Sequence, residues 1–346
     1  MCIDRNKPDI VSFFSLRSPL KVHILPVRPK IPVLIVTGFL GSGKTSYINN
    51  LLLQNRDVKV GLIENEFGDV SIDARLIMNY KPESILELNN GCICCSIFNE
   101  FSLALQELIK KHDHLEQLII ETTGIADPGP IIEPFFQDAD LIRLFELNGT
   151  VCLVDAMHFQ EQNPGFEQQK QIMLSDLIIL NKISTTHPDQ LLLIRKKLAA
   201  LNKTALVIET DYGLTDASQL YILQPRLQDE FIRKIRKPFY SEPDASEFHS
   251  FTIRFGNYIN ESRFREWFSY FASLHRSNIY RIKGIVNFED SPFLGIVQAV
   301  GGTTSITEGS VVNPYEPLEN VLVFVGKEIS KFGIEKEIGQ FLLQEN

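Results

Sequence analysis

Gly38-Phe39-Leu40-Gly41-Ser42-Gly43-Lys44-Thr45 sets two glycines five residues apart ahead of a Lys and a Thr. Glycine lets the backbone curl until successive N–H groups point inward, which makes a nest for phosphate oxygens. A helix beginning near Gly43 adds its positive N-terminal end to the same anion. In such a loop the N–H groups of 41–46, Ser42 and Ser46 among them, hold the phosphates. Lys44 reaches the β- and γ-phosphates, and the Thr45 hydroxyl holds Mg²⁺. The strand-forming run Val33–Thr37 before it and the helical stretch from Ser46 to Leu53 after it supply the context that this reading needs.

Three of the five cysteines, Cys92, Cys94 and Cys95, lie within four positions. Deprotonated thiols this close are soft ligands for Zn²⁺, Cu(I) or a similar ion. They are too close for the two-knuckle spacing of a structural zinc finger, and no second pair follows. Three protein ligands leave one tetrahedral position open. A site completed from outside can give its metal away.

Carboxylates end two of the expected strands. Val58–Ile63 leads into Glu64-Asn65-Glu66-Phe67-Gly68-Asp69, placed where a mobile loop would meet Mg²⁺ or a γ-phosphate. Leu118–Glu121 leads into Thr122-Thr123-Gly124-Ile125-Ala126-Asp127-Pro128. There Glu121 is placed to support the Mg²⁺ and Gly124 to sense the γ-phosphate.

These residues need a scaffold that delivers strand ends to one edge. Further strands are expected at Thr150–Val154, Leu177–Leu180 and Ala205–Ile208, with helices over about 97–111 and 188–201 and a short strand at Ile85–Leu88. Six strands alternating with helices give an α/β fold: a doubly wound, mostly parallel sheet with ligands at the strand C-terminal ends. A composition break from Lys237-Pro238 to Pro243 reads as a linker. Beyond it strands at Phe248–Phe255, Tyr280–Phe288, Phe293–Val300 and Val321–Val325, with helices at Glu261–Phe271 and Ser330–Leu343, make a smaller α+β domain. The expected division is an extension at 1–30, a phosphate-loop domain at 31–237, a linker at 238–246 and a C-terminal domain at 247–346.

A 346-residue chain can bury two cores. No apolar run approaches the roughly 18 residues of a membrane span. A net charge of −9 argues against a nucleic-acid partner. The first thirty residues hold six basic residues against two acidic ones, which leaves 28 basic against 41 acidic for the rest. With prolines at 8, 19, 26 and 29, this stretch reads as a disordered or targeting-like extension. The clustered thiols cannot serve a disulfide framework, so a reducing, cytoplasmic setting is expected.

G-F-L-G-S-G-K-T (38–45), E-N-E-F-G-D (64–69), G-C-I-C-C (91–95), E-T-T-G-I-A-D-P (121–128), N-K-I (181–183), Y-R-I-K-G-I-V (280–286) and L-V-F-V-G (322–326) follow one another in this order. Together they resemble the CobW-type metallochaperone GTPases, over about residues 31 to 346. The internal Cys-x-Cys-Cys is the most specific match. The resemblance implies binding of GTP and GDP, hydrolysis of GTP, and a divalent metal, most often zinc and otherwise an ion such as Co²⁺. That metal is carried on Cys92, Cys94 and Cys95 and delivered to a client metalloprotein. It gives Lys44, Glu121, Glu64 and Glu66 the catalytic roles and places Asn181, Lys182 and Ser184 around the base. The family's usual N-K-x-D ends here in Ser184, so a weakened guanine preference that Ser184→Asp strengthens is expected. The His-rich loop of many members is absent, and Glu319-Asn320 stands where an Arg is usual. The oligomeric state is not set by the sequence, and a homodimer is compatible with it. A nucleotide-dependent metal sensor without turnover is the alternative function. A small-molecule kinase would share the phosphate loop but gives no reason for the thiols.

Overall fold

The computed structural model describes residues 29–64, 85–87, 98–112, 114–159, 165–215, 231–234, 248–313, 315 and 318–343. All but the last two residues of the N-terminal extension lie outside these, as do Glu66, the three clustered cysteines and the linker at 238–246.

Strand β1 (Ile31–Gly38) shows why the first half of the chain reads as short apolar runs. Side chains alternate along a strand, and both faces of a doubly wound sheet are covered. Val33 and Ile35 therefore enter one core with Phe101, Leu105 and Leu108 of helix α2 (Phe98–Lys111). Leu34 and Val36 enter the opposite core with Tyr47, Ile48, Leu51 and Leu52 of α1 (Lys44–Gln54). The other strands are β2 (Val60–Glu64), β3 (Ile85–Glu87), β4 (Gln117–Glu121), β5 (Phe145–Asp155), β6 (Leu177–Asn181) and β7 (Leu206–Glu209). They pair in the order β3-β2-β4-β1-β5-β6-β7, every pairing parallel. The sheet has seven strands: six alternating with helices as expected, and the short strand expected at Ile85–Leu88, which runs Ile85–Glu87 and pairs at the edge beside β2. Strand β5 begins five residues ahead of Thr150, since Phe145 pairs with Ile31 at the foot of β1. Short helices α3 (Gly129–Ile132), α4 (Pro134–Gln137) and α5 (Ala139–Leu144) lead from β4 to β5. The remaining crossovers are α6 (Ala156–Phe159), α7 (Phe166–Met173) and α8 (Pro188–Leu201).

The second unit is a five-stranded antiparallel sheet in the order β11-β10-β9-β12-β8. Its strands are β8 (Phe248–Phe255), β9 (Ile279–Asn287), β10 (Phe293–Val300), β11 (Thr303–Val311) and β12 (Asn320–Lys327). Helices α9 (Glu261–Leu274) and α10 (Lys331–Leu343) cover one face, packing Phe264, Phe268, Phe271 and Phe341 against Ile282, Val297 and Phe324. Strand β11 was not expected from the sequence. It is an edge strand of mostly polar residues, so it lacks the apolar alternation of a half-buried one. Its signal is the Gly301-Gly302 pair, whose φ values of 57° and 91° make the tight turn between β10 and β11.

The two sheets are joined through Asp176, at the foot of β6. Its carboxylate accepts from the Thr150 N–H (3.0 Å), from Lys283 Nζ (2.9 Å) and from the Arg281 guanidinium, which also donates to the Leu174 carbonyl. All three side chains are buried. Burial opposes the charge on Asp176, yet the Arg281 and Lys283 charges and the hydrogen bonds hold its pKa well below the carboxylate range. That contribution is present above the unfolded pKa near 4 and is lost as pH falls toward the folded value. Asp176→Asn leaves two buried cations without a counter-charge and should cost about 3–5 kcal/mol. Thermal unfolding from pH 7 down to pH 3 should show this loss at neutral pH and a shallower acid slope in the variant.

Candidate functional site

The loop after β1 takes the shape its glycines permit. Gly38, Gly41 and Gly43 have φ of 139°, 75° and 102°, a region that L side chains rarely adopt. Ser42 N–H closes the turn onto the Phe39 carbonyl at 3.1 Å, and α1 starts directly after Gly43. Lys44 is buried and its Nζ donates to the Gly38 carbonyl at 3.1 Å. Its ammonium lies folded across the loop it would serve. Thr45 is half-buried and Ser46 exposed.

A loop built for phosphate should show polar atoms with no protein partner and no room for a side chain. Ser42 Oγ is buried and unpartnered. A Cβ on Gly43 would stand 2.4 Å from Asn181 Nδ2, and one on Gly38 2.4 Å from the Leu153 carbonyl. These features fit a phosphate chain.

Next to the loop, the ends of β2, β3 and β4 bring three glutamates into one row, Glu87 paired with Glu64 and Glu64 with Glu121. Glu121 is buried, and beside it the Thr122 hydroxyl donates to Thr37 Oγ1 at 2.8 Å. Thr123 Oγ1, one residue on, is buried without a partner. Hydroxyl and carboxylate oxygens of this kind suit Mg²⁺. Gly124 packs against Leu40 of the phosphate loop so tightly that a Cβ would come within 2.7 Å of the Leu40 N. The turn after it is anchored from α7: Gln171 Nε2 donates to the Gly124 and Ala126 carbonyls, and Lys170 Nζ meets Asp127 at 2.6 Å.

On the other side stand the loops after β6 and β7. Asn181 is buried and bridges them to the phosphate loop. Its Nδ2 donates to the Ser42 carbonyl (2.9 Å) and its Oδ1 accepts from the Gly213 N–H (3.0 Å). Lys182, in the left-handed region with φ 62°, donates from Nζ to the Gly41 carbonyl (2.8 Å) and to Asp155 Oδ2 (2.6 Å). Ser184 is exposed, and its hydroxyl donates to Asp211.

Sequence reasoning passed over Asp155 and Asp211. Asp155 ends buried β5 as Glu121 ends β4, and that parallel was the available signal. Its Oδ1 caps the Met157 and His158 N–H groups, and its Oδ2 takes Lys182 and His158 Nδ1. Burial works against its charge, but the bonds from Lys182 and His158 keep its pKa below the ordinary range. Cys152, the one cysteine among the described residues, is walled into the core, where burial pushes its pKa up to about 12 against the Lys44 charge. It is an inert thiol. Among the described residues no group of three or more His, Cys, Asp or Glu could hold a metal ion.

Gly43→Ala tests the preformed cradle. It adds left-handed strain of order 1–3 kcal/mol and drives a methyl onto the Asn181 amide. Thermal unfolding and fluorescence titration with a labelled nucleoside diphosphate should both move, with at least a tenfold loss of affinity.

Comparison with known proteins bears on what such a cradle does. The family model described as the CobW/HypB/UreG nucleotide-binding domain matches residues 32–209, and the cobalamin synthesis protein cobW C-terminal domain model matches 248–342. The zinc chaperone YjiA of Escherichia coli is 37% identical over 215 residues, 61% of this chain and 67% of its own length. A zinc chaperone CobW from Sinorhizobium is 29% identical over 307 residues, covering 79% of this chain and 86% of that one. The zinc-regulated GTPase metalloprotein activator 1 of Schizosaccharomyces pombe is 34% identical over 223 residues, 61% of this chain and 54% of its own. Among solved structures, the Zn(II)-bound YjiA GTPase superposes with a TM-score of 0.66 over 90% of this chain and 99% of that one, at 25% identity.

Proposed function

Since this chain belongs to the CobW/HypB/UreG nucleotide-binding family, we propose that it is a GTPase that carries zinc and hands it to a client metalloprotein. The observation that carries this reading is the preformed phosphate cradle, tied by Asn181 and Lys182 to the loops after β6 and β7. The names of the relatives support the zinc.

Backbone N–H groups of 41–46 and the Lys44 ammonium bind the phosphates. To do so Lys44 exchanges its bond to the Gly38 carbonyl for phosphate oxygens. Thr45 and Glu121 would hold Mg²⁺, which neutralises charge on the phosphate oxygens when bound. Glu64, Glu66 and the Gly124 turn meet the γ-phosphate. Asn181 and Lys182 take the base side, with Ser184 at its rim. Cys92, Cys94 and Cys95 carry Zn²⁺, or another divalent ion such as Co²⁺, as cargo.

This segment lies between Glu64 and the Gly124 turn in sequence, so the thiols connect the two places where a γ-phosphate is read. GTP hydrolysis thereby alters the environment of the cargo. No helix among the described residues is long and apolar enough to cross a membrane, and we assign the protein to the cytoplasm.

Two measurements test the reading. Lys44→Ala removes the buried ammonium folded across the cradle, and calorimetry should show GTP affinity falling at least a hundredfold. Unchanged affinity would overturn the phosphate assignment. Zinc affinity, measured by competition with a chromogenic chelator, should differ at least fivefold between GDP and a non-hydrolysable GTP analogue. Zinc must then change nucleotide affinity by the same factor. Equal affinities in the two states would contradict a nucleotide-gated carrier.

A further inference from the structure

Guanine presents two adjacent donors on one edge, N1–H and the exocyclic amine, and a carbonyl beside them. A carboxylate is their natural complement, because one acidic side chain can accept both. The loop after β6 offers only a hydroxyl at its rim, on Ser184. The structure places a carboxylate beside it from the next loop.

Asp211 follows β7, and its Oδ1 accepts both the Ser184 N–H (3.1 Å) and the Ser184 hydroxyl (3.0 Å). Its Oδ2 takes no partner among the described residues. The other carboxylate on this side, Asp155, has both oxygens engaged. The loop that carries Asp211 is strapped to the phosphate-binding helix. Asn50 Nδ2 donates to the Tyr212 carbonyl (2.9 Å), Gln54 Nε2 donates to the Thr215 carbonyl (3.1 Å), and Gly213 lies so close to Tyr47 that a Cβ would meet the Tyr47 Cα at 3.0 Å. Gly213 N–H is used by Asn181, whereas the Tyr212 N–H has no partner among the described residues. It is the donor at hand for the base carbonyl.

We propose that Asp211 is the residue that reads guanine in this protein, with Ser184 as the positioning residue that fixes its carboxylate. The proposal rests on the nucleotide-binding reading above. Adenine turns a ring acceptor toward the carboxylate and an amine toward the Tyr212 N–H, so it is rejected on both counts. The sequence expectation for Ser184→Asp reverses. A second carboxylate within about 3 Å of Asp211 brings like charges together and weakens guanine binding.

The test is a set of calorimetric titrations of the full chain and its variants with GDP, ADP and xanthosine diphosphate. Xanthine carries a carbonyl where guanine carries the amine, so an amide at 211 should suit it and a carboxylate should not. Asp211→Asn should lose about 10- to 100-fold in GDP affinity, the range for hydrogen bonds to a charged acceptor. It should also gain affinity for xanthosine diphosphate. Asp211→Ser should lose GDP affinity without that gain, and the exchange Ser184→Asp with Asp211→Ser should recover most of it. A merely structural Asp211 would lower affinity for every nucleotide alike and give no gain for xanthine. That outcome, or an unchanged GDP-to-xanthosine-diphosphate ratio in Asp211→Asn, overturns the assignment. Failure of the wild-type chain to bind any nucleoside diphosphate would instead overturn the nucleotide-binding reading itself.

Discussion

A single carboxylate at the foot of the sheet, Asp176, sets how the two halves of the molecule meet. It binds β5 through the Thr150 N–H and the second sheet through Arg281 and Lys283, while its own backbone bonds reach Thr150 and Leu206. Three buried charges are costly to desolvate, and only close mutual pairing offsets that cost. The geometry meets the condition: Lys283 also lies 4.5 Å over the Phe231 ring, and Arg281 is held by the Leu174 carbonyl. The consequence is directional. A parallel sheet carries its ligands at the strand C-terminal ends, and this clamp holds the second domain at the opposite end of β6, away from Asn181.

The ligand edge is organised differently, by hydrogen bonds among loops and one ion pair, Lys182 with Asp155. Asn181 touches the phosphate loop with one end of its amide and the 210–215 loop with the other, while Lys182 reaches Gly41 and Asp155. A polar side chain buried at this depth is worth its desolvation only when each end is satisfied. Satisfied, it makes three loops one surface. That is preorganisation, because the contacts are made by the chain's own residues. The turn at Gly124–Asp127 is held with equal firmness, but from α7, whose Phe166 and Lys170 rest against Tyr280 of the second sheet. Below that turn a cavity of about 420 Å³ separates the domains. Glu133 lines it, its pKa pushed up to about 7 by burial and the Asp127 charge against the pull of Arg276 and Lys170.

The sequence carried the parallel sheet well because its central strands β1, β4, β5 and β6 are buried on both faces and bounded by chemistry-bearing loops. Pro188–Leu201 was legible to its ends, since His187-Pro188 starts the helix and a clear apolar face follows. Strand β11 was illegible by the same logic reversed. It pairs on one side only, its outer residues are polar, and nothing in T-T-S-I-T-E-G-S-V alternates strongly enough to announce a pleat. In the site, residues of the phosphate loop were readable because backbone geometry dictates glycine at fixed spacing. Asp155 and Asp211 were not, because an Asp at or just past a strand end is ordinary, and only the fold shows the bonds that tie them to Lys182 and Ser184.

Ser184 shows how a local pattern can mislead about a spatial one. Read along the chain, Asn-Lys-Ile-Ser is short of a carboxylate. Across the β6–β7 pairing, parallel with Leu180 beside Glu209, residues 184 and 211 stand on neighbouring loops and share one hydrogen-bonded unit. Hydroxyl and carboxylate are a complementary pair, so either loop can supply either member without changing what the pair offers outward. What constrains the position is the pair. A motif written over one loop records only half of it.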